Sequence, residues 1–218
     1  MTPGDHELAK GLNEAQREAV LHGDGPLLVV AGAGTGKTRV VTRRVAMHLS
    51  RGARAAGILA ITFTNKAARE MRERVEALVG PNHVLLCTYP SLCARILRRF
   101  AAEAGFTPGF SIYDRDESLR LLAAILKERS LESPSERSLL DAISLHKQEG
   151  LLPTEAMAAA LTDREKLWAE LYAFYDTRLK LSNAMDFDDL LLRAVRLLRV
   201  NPVALEWTRE LSEHLLVD

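Results

Sequence analysis

The sequence contains few cysteines and no long hydrophobic run. The spacing of its two cysteines, Cys87 and Cys93, matches neither a metal site nor a disulfide framework, so we expect two buried free thiols. The six histidines form no pair with ligand spacing, which argues against structural zinc. No apolar run approaches the roughly eighteen residues that span a bilayer, and the N-terminus shows no signal peptide. Together these absences favour a reduced, cytoplasmic protein without a membrane segment.

The chain also has no net charge, but its charged residues are unevenly distributed along the sequence. The chain has 29 basic and 29 acidic residues. Residues 37–99 hold thirteen lysines and arginines against three glutamates, a net charge of +10, and the remaining residues sum to −10. A positive block in a neutral chain predicts a one-sided surface for a polyanion such as nucleic acid. The alternative is that arginine-rich helices solvate their outer faces, and charge alone does not separate the two.

Short apolar runs alternate with helical segments in the first half of the chain. A helix at about 12–21, capped by Asn13 or its neighbour, comes first. The predicted strands, each with the helix that follows it, are 27–30 with 37–50, 58–62 with 65–79, and 84–88 with 91–103. The all-apolar run 27–30 suits a strand buried on both faces. Alternation at this spacing predicts βαβ units and a mostly parallel sheet.

The pattern changes after residue 114. Residues 115–182 carry helical patterns and no convincing strand, and two more helices and an apolar run ending at Asp218 follow. The long helix predicted at 163–181 has an apolar stripe that we interpret as core. The stripe consists of Leu167, Leu171, Phe174 and Tyr175. We therefore predict an α/β sheet domain in 1–114, a helical insertion in 115–182, and a return to the sheet domain in 183–218.

A glycine-rich segment lies between a predicted strand and a predicted helix, the context in which a phosphate-loop match is meaningful. It consists of Ala31, Gly32, Ala33, Gly34, Thr35, Gly36, Lys37 and Thr38. Glycines let backbone N–H groups surround phosphate oxygens, and the following helix presents its positive end. Lys37 offers a charge to the β- and γ-phosphates, and Thr38 a hydroxyl to Mg²⁺. The loop predicts a nucleoside triphosphate, with motor, kinase and switch proteins all left open.

Other segments decide among those classes. Residues 12–20, which contain Gln16, resemble the glutamine motif of the UvrD, Rep and PcrA helicases of superfamily 1. Residues 60–71 are similar to motif Ia of that family, and residues 87–91 occupy the place of its next DNA-contact motif. Residues 185–191 resemble its Asp-Phe-Asp-Asp-Leu-Leu segment. The resemblance covers nearly the whole chain, in order and with roughly the expected spacings.

The resemblance implies a track for single-stranded DNA. Phe63 would stack on a base, which suits a protein that holds any sequence, while Thr62 and Asn65 would approach the DNA backbone. Thr88 and Tyr89 would also touch DNA. Without the surrounding motif, Phe63 would be interpreted as a core aromatic at the end of a strand.

Residues 87–91 depart from the family pattern, and residues 185–191 have a second explanation. Cys87, Tyr89 and Pro90 stand where the family usually has glycine, phenylalanine and histidine, so the role of that histidine has no counterpart. The segment 185–191 lies near the DNA path in the family. A cluster of acids that caps a helix explains it equally well, and the two interpretations are compatible.

The nucleotide site follows from the same resemblance. Gln16 would read the adenine edge, because a primary amide both donates and accepts hydrogen bonds. Asp218, at the end of an apolar run like the start of motif II, would hold Mg²⁺ with Thr38 and serve catalysis with Lys37. The candidate nucleotide-binding residues are Gln16, Ala31, Gly32, Ala33, Gly34, Thr35, Gly36, Lys37, Thr38 and Arg39.

As a whole, the resemblance implies a RecA-like phosphate-loop domain with a helical inserted subdomain. The implied activity is ATP- and Mg²⁺-dependent 3′–5′ movement on single-stranded DNA and at single-strand/duplex junctions, in repair or replication. Family members use a glutamate after the motif II acid, arginines that stabilise the transferring phosphoryl group, and a second motor domain. These 218 residues contain none of the three, so we expect weak nucleotide binding and negligible ATPase from them alone.

Three alternatives stay open at this stage. A phosphate-loop kinase or switch would leave residues 12–20 and 60–71 unexplained. A non-hydrolysing module that binds ATP or DNA would share all of the motifs. A subunit of a helicase–nuclease would share them as well.

Overall fold

The computed structural model describes residues 7–218 and divides into two compact units. The first unit contains the chain up to Leu92 together with Leu205–Asp218, and the second is Cys93–Ala204. The predicted helical segment 115–182 lies inside the second unit, which extends beyond it at both ends. In chain order the elements are α1 (Glu14–Leu21), α2 (Lys37–Ser50), β1 (Ile58–Ile61), α3 (Asn65–Val79), β2 (Leu85–Cys87), α4 (Tyr89–Arg99), β3 (Ser111–Tyr113), α5 (Arg115–Glu128), α6 (Glu136–Gln148), α7 (Pro153–Ala159), α8 (Asp163–Leu181), β4 (Ala184–Asp186), α9 (Phe187–Val200), α10 (Pro202–Leu211) and β5 (His214–Val217).

A parallel three-stranded sheet in the order β2-β1-β5 forms the centre of the first unit. The central strand β1 is buried along its whole length because both of its edges are paired and helices pack against it. Leu59 is in register with Leu85 on one side and with Leu215 on the other. This pairing confirms the predicted α/β class with a parallel sheet flanked by helices.

The strand predicted at 27–30 is wrong. These four residues adopt no regular structure, and Leu28 and Val30 are 86% and 88% exposed. An apolar run becomes a strand only where a neighbouring strand offers hydrogen-bond partners. Both edges of β1 are occupied, and residues 27–30 pair with no strand in the part of the chain that the structure describes. The apolar character of the run is visible in the sequence, but its pairing depends on distant residues.

The second unit is mainly helical, with a small parallel sheet of β3 and β4. Sequence patterns missed both strands because each has three residues, too few for an alternating pattern. One core cluster of this unit joins α5, α6 and α8 around Leu122, Leu139 and Tyr172. Thr162 caps α8 in a reciprocal capping box with Glu165, which starts the long helix where it was predicted.

The α8 stripe is core at two of its four positions. Leu171 and Tyr175 are fully buried, and Leu167 packs partly buried against the same cluster. Phe174 instead lies at the surface, 37% exposed, with the guanidinium of Arg129 3.4 Å from its ring centroid. A cation over an aromatic face gives such a ring a partner outside the core.

Two expectations from composition can be compared directly with the structure. Cys87 and Cys93 are both buried and neither forms a disulfide, which confirms the prediction of free thiols. Among residues 7–218, no helix is both long and apolar enough to cross a membrane.

Candidate functional site

The glycine-rich loop ends at the start of α2. Gly36 is the N-cap residue of α2 and lies in the left-handed region with φ of 91°, and Gly34 has φ of 75°. Residues with a side chain rarely adopt this conformation, so both positions favour glycine. Gly36 offers no side-chain cap to α2. The positive end of α2 is therefore directed at the loop.

Lys37 lies across its own loop. Its ammonium group donates to the carbonyl oxygens of Ala31 at 2.9 Å and Gly32 at 2.7 Å. The Thr35 hydroxyl also donates to the Gly32 carbonyl, at 2.7 Å. These bonds satisfy loop carbonyls and keep the lysine charge within the loop. A main-chain carbonyl is a neutral acceptor, so an anionic phosphate oxygen would compete strongly for the same ammonium.

Thr38 and Asp218 meet although they are 180 residues apart in the sequence. The Thr38 hydroxyl donates to a carboxylate oxygen of Asp218 at 2.7 Å. Pairing of β5 with β1 brings Asp218 to this place, and its N–H donates to the Ile61 carbonyl at 2.9 Å. A hydroxyl and a carboxylate oxygen are hard ligands of the kind that Mg²⁺ takes.

Gln16 lies against the loop rather than over open space. Its amide nitrogen donates to the Thr35 carbonyl at 2.9 Å, and its amide oxygen accepts from the Asn13 N–H at 3.2 Å. Asn13 in turn caps α1, as predicted. Arg39 lies on the exposed side of α2, and Ala33 is exposed in the loop.

The five residues predicted to touch DNA fall into two groups. Phe63, 92% exposed, and Tyr89, 49% exposed, lie at the carboxyl ends of β1 and β2, and Asn65 is exposed at the start of α3. Thr62 and Thr88 are buried: the Thr62 N–H donates to the Cys87 carbonyl, and the Thr88 hydroxyl is 2.9 Å from that of Ser91. The Ser91 hydroxyl in turn donates to the Asn65 amide oxygen at 3.5 Å. The structure thus excludes the interpretation of Phe63 as a core aromatic.

Two helix starts lie beside these aromatic side chains. Thr64 caps α3 by accepting from the N–H of Ala67. In α4, Pro90 is the second residue, a position where the missing N–H of proline has no helical partner to lose. Pro90 therefore fits its position structurally, with one N–H fewer to offer an anion.

Part of the positive block in 37–99 is bonded to main-chain carbonyls inside the first unit. Arg43 donates to the Leu8 carbonyl at 2.5 Å, and Arg72 to the Val84 carbonyl at 3.2 Å. Such bonds support the alternative, a structural use, for part of the block. Lys66 and Arg69 are exposed on α3 close in sequence to Phe63, so a smaller basic surface remains beside the exposed aromatic residues.

The acidic segment 185–191 forms a buried ion cluster that the sequence did not predict. Asp186 caps α9 in a capping box with Asp189, which confirms the capping interpretation. The ammonium of Lys147, whose side chain is 0% exposed, lies 2.7 Å from Asp186 and 2.9 Å from Asp189. Burial raises the pKa of Asp186, and the adjacent Asp189 carboxylate adds to the increase. Burial opposes ionisation of Asp189 too, but Lys147 and Arg193 bring its pKa below the usual value.

His48 and His214 are also brought together by the fold. Their rings stack with centroids 4.2 Å apart. Burial, followed by the neighbouring His214, lowers the pKa of His48 to about 4. Sequence spacing gave no signal of this pair, because it joins α2 to β5. Within residues 7–218, no group of three or more metal-ligating side chains comes together.

The parallel sheet and the glycine loop that leads into α2 define a phosphate-loop α/β domain. Residues 12–218 match the family model described as the UvrD/REP helicase N-terminal domain, so the chain belongs to this family. It is 46% identical over its full length to the ATP-dependent DNA helicase UvrD1 of Mycobacterium tuberculosis and covers 29% of that protein. Identity to the ATP-dependent DNA helicase PcrA is 42% for Bacillus subtilis, with 98% of the chain and 30% of the relative covered. For PcrA of Staphylococcus aureus it is 38%, with 97% and 30% covered. The chain thus spans about 30% of the length of these relatives.

Proposed function

We propose that this chain is the ATP-binding region of a DNA helicase that moves 3′ to 5′ along single-stranded DNA in repair or replication. The observation that carries the proposal is the hydrogen bond between Thr38 and Asp218, at the start of the helix whose first residue, Lys37, donates to the loop carbonyls. The loop and the start of α2 thus carry an ammonium group suited to phosphates and two hard oxygen ligands suited to Mg²⁺. The relatives, which are named ATP-dependent DNA helicases, support the same assignment.

The nucleotide would take the place of the contacts within the loop. Lys37 would exchange the carbonyls of Ala31 and Gly32 for the β- and γ-phosphates, and loop N–H groups would receive the other phosphate oxygens. The donor set of Thr38 and Asp218 fits Mg²⁺, because their oxygens already lie within 2.7 Å of each other. When bound, the ion neutralises charge on the phosphates. Asp218 then orients it, and Lys37 stabilises charge on the transferred group.

DNA would lie along the carboxyl edge of the sheet. Phe63 offers a bare aromatic face for stacking, and Tyr89 adds a second aromatic side chain at the neighbouring strand end. Asn65 and the basic residues Lys66 and Arg69 supply polar and positive groups for the phosphates. Thr62 and Thr88 are buried and can offer little surface to DNA, so we propose that they shape the ends of the strands. Single-stranded DNA and its junctions with duplex are the proposed substrates.

The finer domain assignment belongs to the same proposal. The first unit would be the beginning of a RecA-like motor domain, and the helical residues 115–182 would be an insertion into it. The 218 residues by themselves would bind nucleotide weakly and hydrolyse it negligibly. The protein would be located in the cytoplasm.

Titration of a fluorescent ATP analogue with Mg²⁺ tests the nucleotide assignment. We expect wild-type chain to bind and Lys37→Ala to lose binding, because the ammonium group that donates to the loop carbonyls is removed. Lys166→Ala serves as the matched control, since Lys166 is an exposed lysine of the second unit. Equal affinity of wild type and Lys37→Ala, with unchanged circular dichroism, would contradict the proposal. ATPase activity with added single-stranded DNA tests the turnover claim, and robust stimulation would contradict it.

A non-hydrolysing module that binds ATP or DNA is the second candidate. It would use the same loop, since Lys37 and Thr38 are groups that bind phosphates and Mg²⁺ and do not by themselves activate the attacking water. Nucleotide binding without hydrolysis in a longer chain, one that extends past residue 218, would favour this candidate over the helicase.

A further inference from the structure

Both ends of the Gln16 amide are already used in the structure. The nitrogen donates to the Thr35 carbonyl at 2.9 Å, and the oxygen accepts from the Asn13 N–H at 3.2 Å. A primary amide has two N–H donors and one oxygen with two lone pairs. One donor and one lone pair therefore stay available after the two bonds are made. Gln16 can hold the loop and contact a further group at the same time.

The Gln16 side chain packs closely against the next loop residue as well. A methyl group added to Gly36 would lie 2.9 Å from the Gln16 amide nitrogen, closer than real side-chain contacts allow. Gly36 also has φ of 91°. The backbone conformation thus favours glycine at residue 36, and a side chain there would also force the Gln16 amide to move from its present place.

The helix that carries Gln16 is firmly attached to α2. Arg44 of α2 donates to the carbonyls of Ala19 at 2.6 Å and His22 at 3.1 Å, at the carboxyl end of α1. The two helices also share an apolar cluster that includes Val20 and Val40. Gln16 therefore contacts the loop from α1, and α1 is held against α2, the helix that starts where the loop ends.

The bond to Thr35 has a consequence for the following N–H group. A trans peptide unit is planar, so its carbonyl and its N–H point in opposite directions. With the Thr35 carbonyl directed at Gln16, the Gly36 N–H points away from Gln16. Glycine tolerates either orientation of this peptide, so the hydrogen bond selects one. On the other side of the loop, the Thr35 hydroxyl is bonded to the Gly32 carbonyl, which also accepts from Lys37.

We propose that Gln16 is a positioning residue for the phosphate loop itself: it fixes the Thr35–Gly36 peptide so that the loop receives phosphates in a preformed shape, whatever base they carry. The inference rests on the proposed function, since it requires the loop to bind phosphates. Preformed donors bind an anion more tightly because no ordering cost is added at the moment of binding. An assignment of Gln16 to adenine alone predicts no effect on a ligand without a base.

Magnesium tripolyphosphate, which has no base, separates the two roles. Its affinity is measured by isothermal titration calorimetry for wild-type chain, Gln16→Met, Asn13→Ala and Lys37→Ala, beside that of MgATP. Methionine has a similar length to glutamine and no charge, but it cannot donate to Thr35. We expect Gln16→Met to weaken tripolyphosphate binding about fivefold to tenfold, the worth of one hydrogen bond. Asn13→Ala removes a cap of α1 and leaves the Thr35 bond intact, so we expect it to bind like wild type.

Each outcome decides the question. Unchanged tripolyphosphate affinity in Gln16→Met, with weaker ATP binding, would overturn the inference and assign the residue to the base alone. An equal loss in Asn13→Ala would also overturn it, because the cause would be a weakened α1. If wild type and Lys37→Ala bind tripolyphosphate equally poorly, the proposed function fails and the inference with it.

A second variant guards against loss of folding in Gln16→Met. Gln16→Glu keeps an acceptor for the Asn13 N–H, as capping boxes commonly do, but has no donor for Thr35. The backbone order parameter of Gly36, measured by ¹⁵N relaxation without ligand, is the readout, so the added charge does not compete with an anion. We expect a lower order parameter at Gly36 in Gln16→Glu than in wild type and Asn13→Ala, because the Thr35–Gly36 peptide loses the bond that fixes it. Equal order parameters would overturn the inference.

Discussion

The two units put lysine to opposite uses. Lys37 of the first unit is exposed and bonds to main-chain carbonyls of its own loop. Lys147 of the second unit is fully buried and bonds to two aspartates. Uncharged carbonyls release an ammonium group to a better partner readily, whereas buried carboxylates do not, since separation would leave charges without water. The first arrangement suits ligand exchange, and the second suits a permanent structure.

The same contrast holds for the acidic residues. Asp218 is exposed next to the Thr38 hydroxyl, at the edge of the sheet. Asp186 and Asp189 are buried, and each caps or pairs within the second unit. Arg193 extends this buried cluster to Asp176. A motif that resembles a family signature can therefore bury its acids to hold a fold together, while Phe187 and Leu191 of the same segment stay exposed. The family resemblance alone does not tell which of its residues are buried.

The largest expected effect comes from breaking the buried cluster. Lys147→Met leaves Asp186 and Asp189 buried without their shared cation, which should lower the free energy of unfolding by about 3–5 kcal/mol. Urea denaturation followed by circular dichroism measures this. Lys166→Ala is the control, because its pair with Asp163 is exposed and should contribute under about 0.5 kcal/mol. A loss below about 1 kcal/mol in Lys147→Met would show that the cluster contributes little.

The next effect concerns function in the first unit and should leave stability nearly unchanged. Phe63→Ala removes an exposed ring, so single-stranded DNA binding should weaken by about 1–3 kcal/mol. Fluorescence anisotropy with a labelled oligonucleotide at fixed salt measures it. Phe174→Ala, a partly exposed phenylalanine of the second unit, is the matched control. Equal affinities for wild type and Phe63→Ala would remove Phe63 from the DNA track.

Much of the first unit could be predicted from local sequence. Asn13 and Gln16 form a capping box, and the glycine loop leads directly into α2 at Lys37 as expected. Helices 65–79 and 163–181 have the predicted bounds because caps and apolar periodicity are local signals. The loop residues follow from their types, since phosphate binding needs glycines and a lysine at fixed spacing.

What could not be predicted depends on contacts between distant residues. The run 27–30 looks like a strand but pairs with no strand among residues 7–218, and burial separates Thr62 from its exposed neighbour Phe63. The pairing of Lys147 with Asp186 joins residues 39 positions apart, so no sequence spacing announces it. The charge count had the same weakness, because arginines such as Arg43 bond to carbonyls that only the fold brings near.

A smaller effect should appear with pH in the first unit. The pKa of His48 is about 4 in the folded chain, below the ordinary value of 6.5, so the folded state favours the neutral ring. The unfolded state therefore binds a proton that the folded state does not, and stability is lost as pH falls from about 6.5 to 4. Since the ring is only half-buried, we expect about 1 kcal/mol. His48→Gln should lose less stability than wild type between pH 7.5 and 5 in urea denaturation, and parallel curves would contradict the assignment.

The smallest effect sharpens the comparison within the second unit itself. Arg178 makes two hydrogen bonds to Glu128, at 3.1 and 3.2 Å, but both side chains are about half exposed. Water screens such a pair and its side-chain entropy opposes it, so a double-mutant cycle of Arg178→Met and Glu128→Gln should give a coupling of about 0.2–1 kcal/mol. The cycle is measured by urea denaturation beside Lys147→Met, in the same unit and buffer. A coupling as large as the loss in Lys147→Met would mean that geometry, rather than burial, decides what an ion pair contributes to this fold.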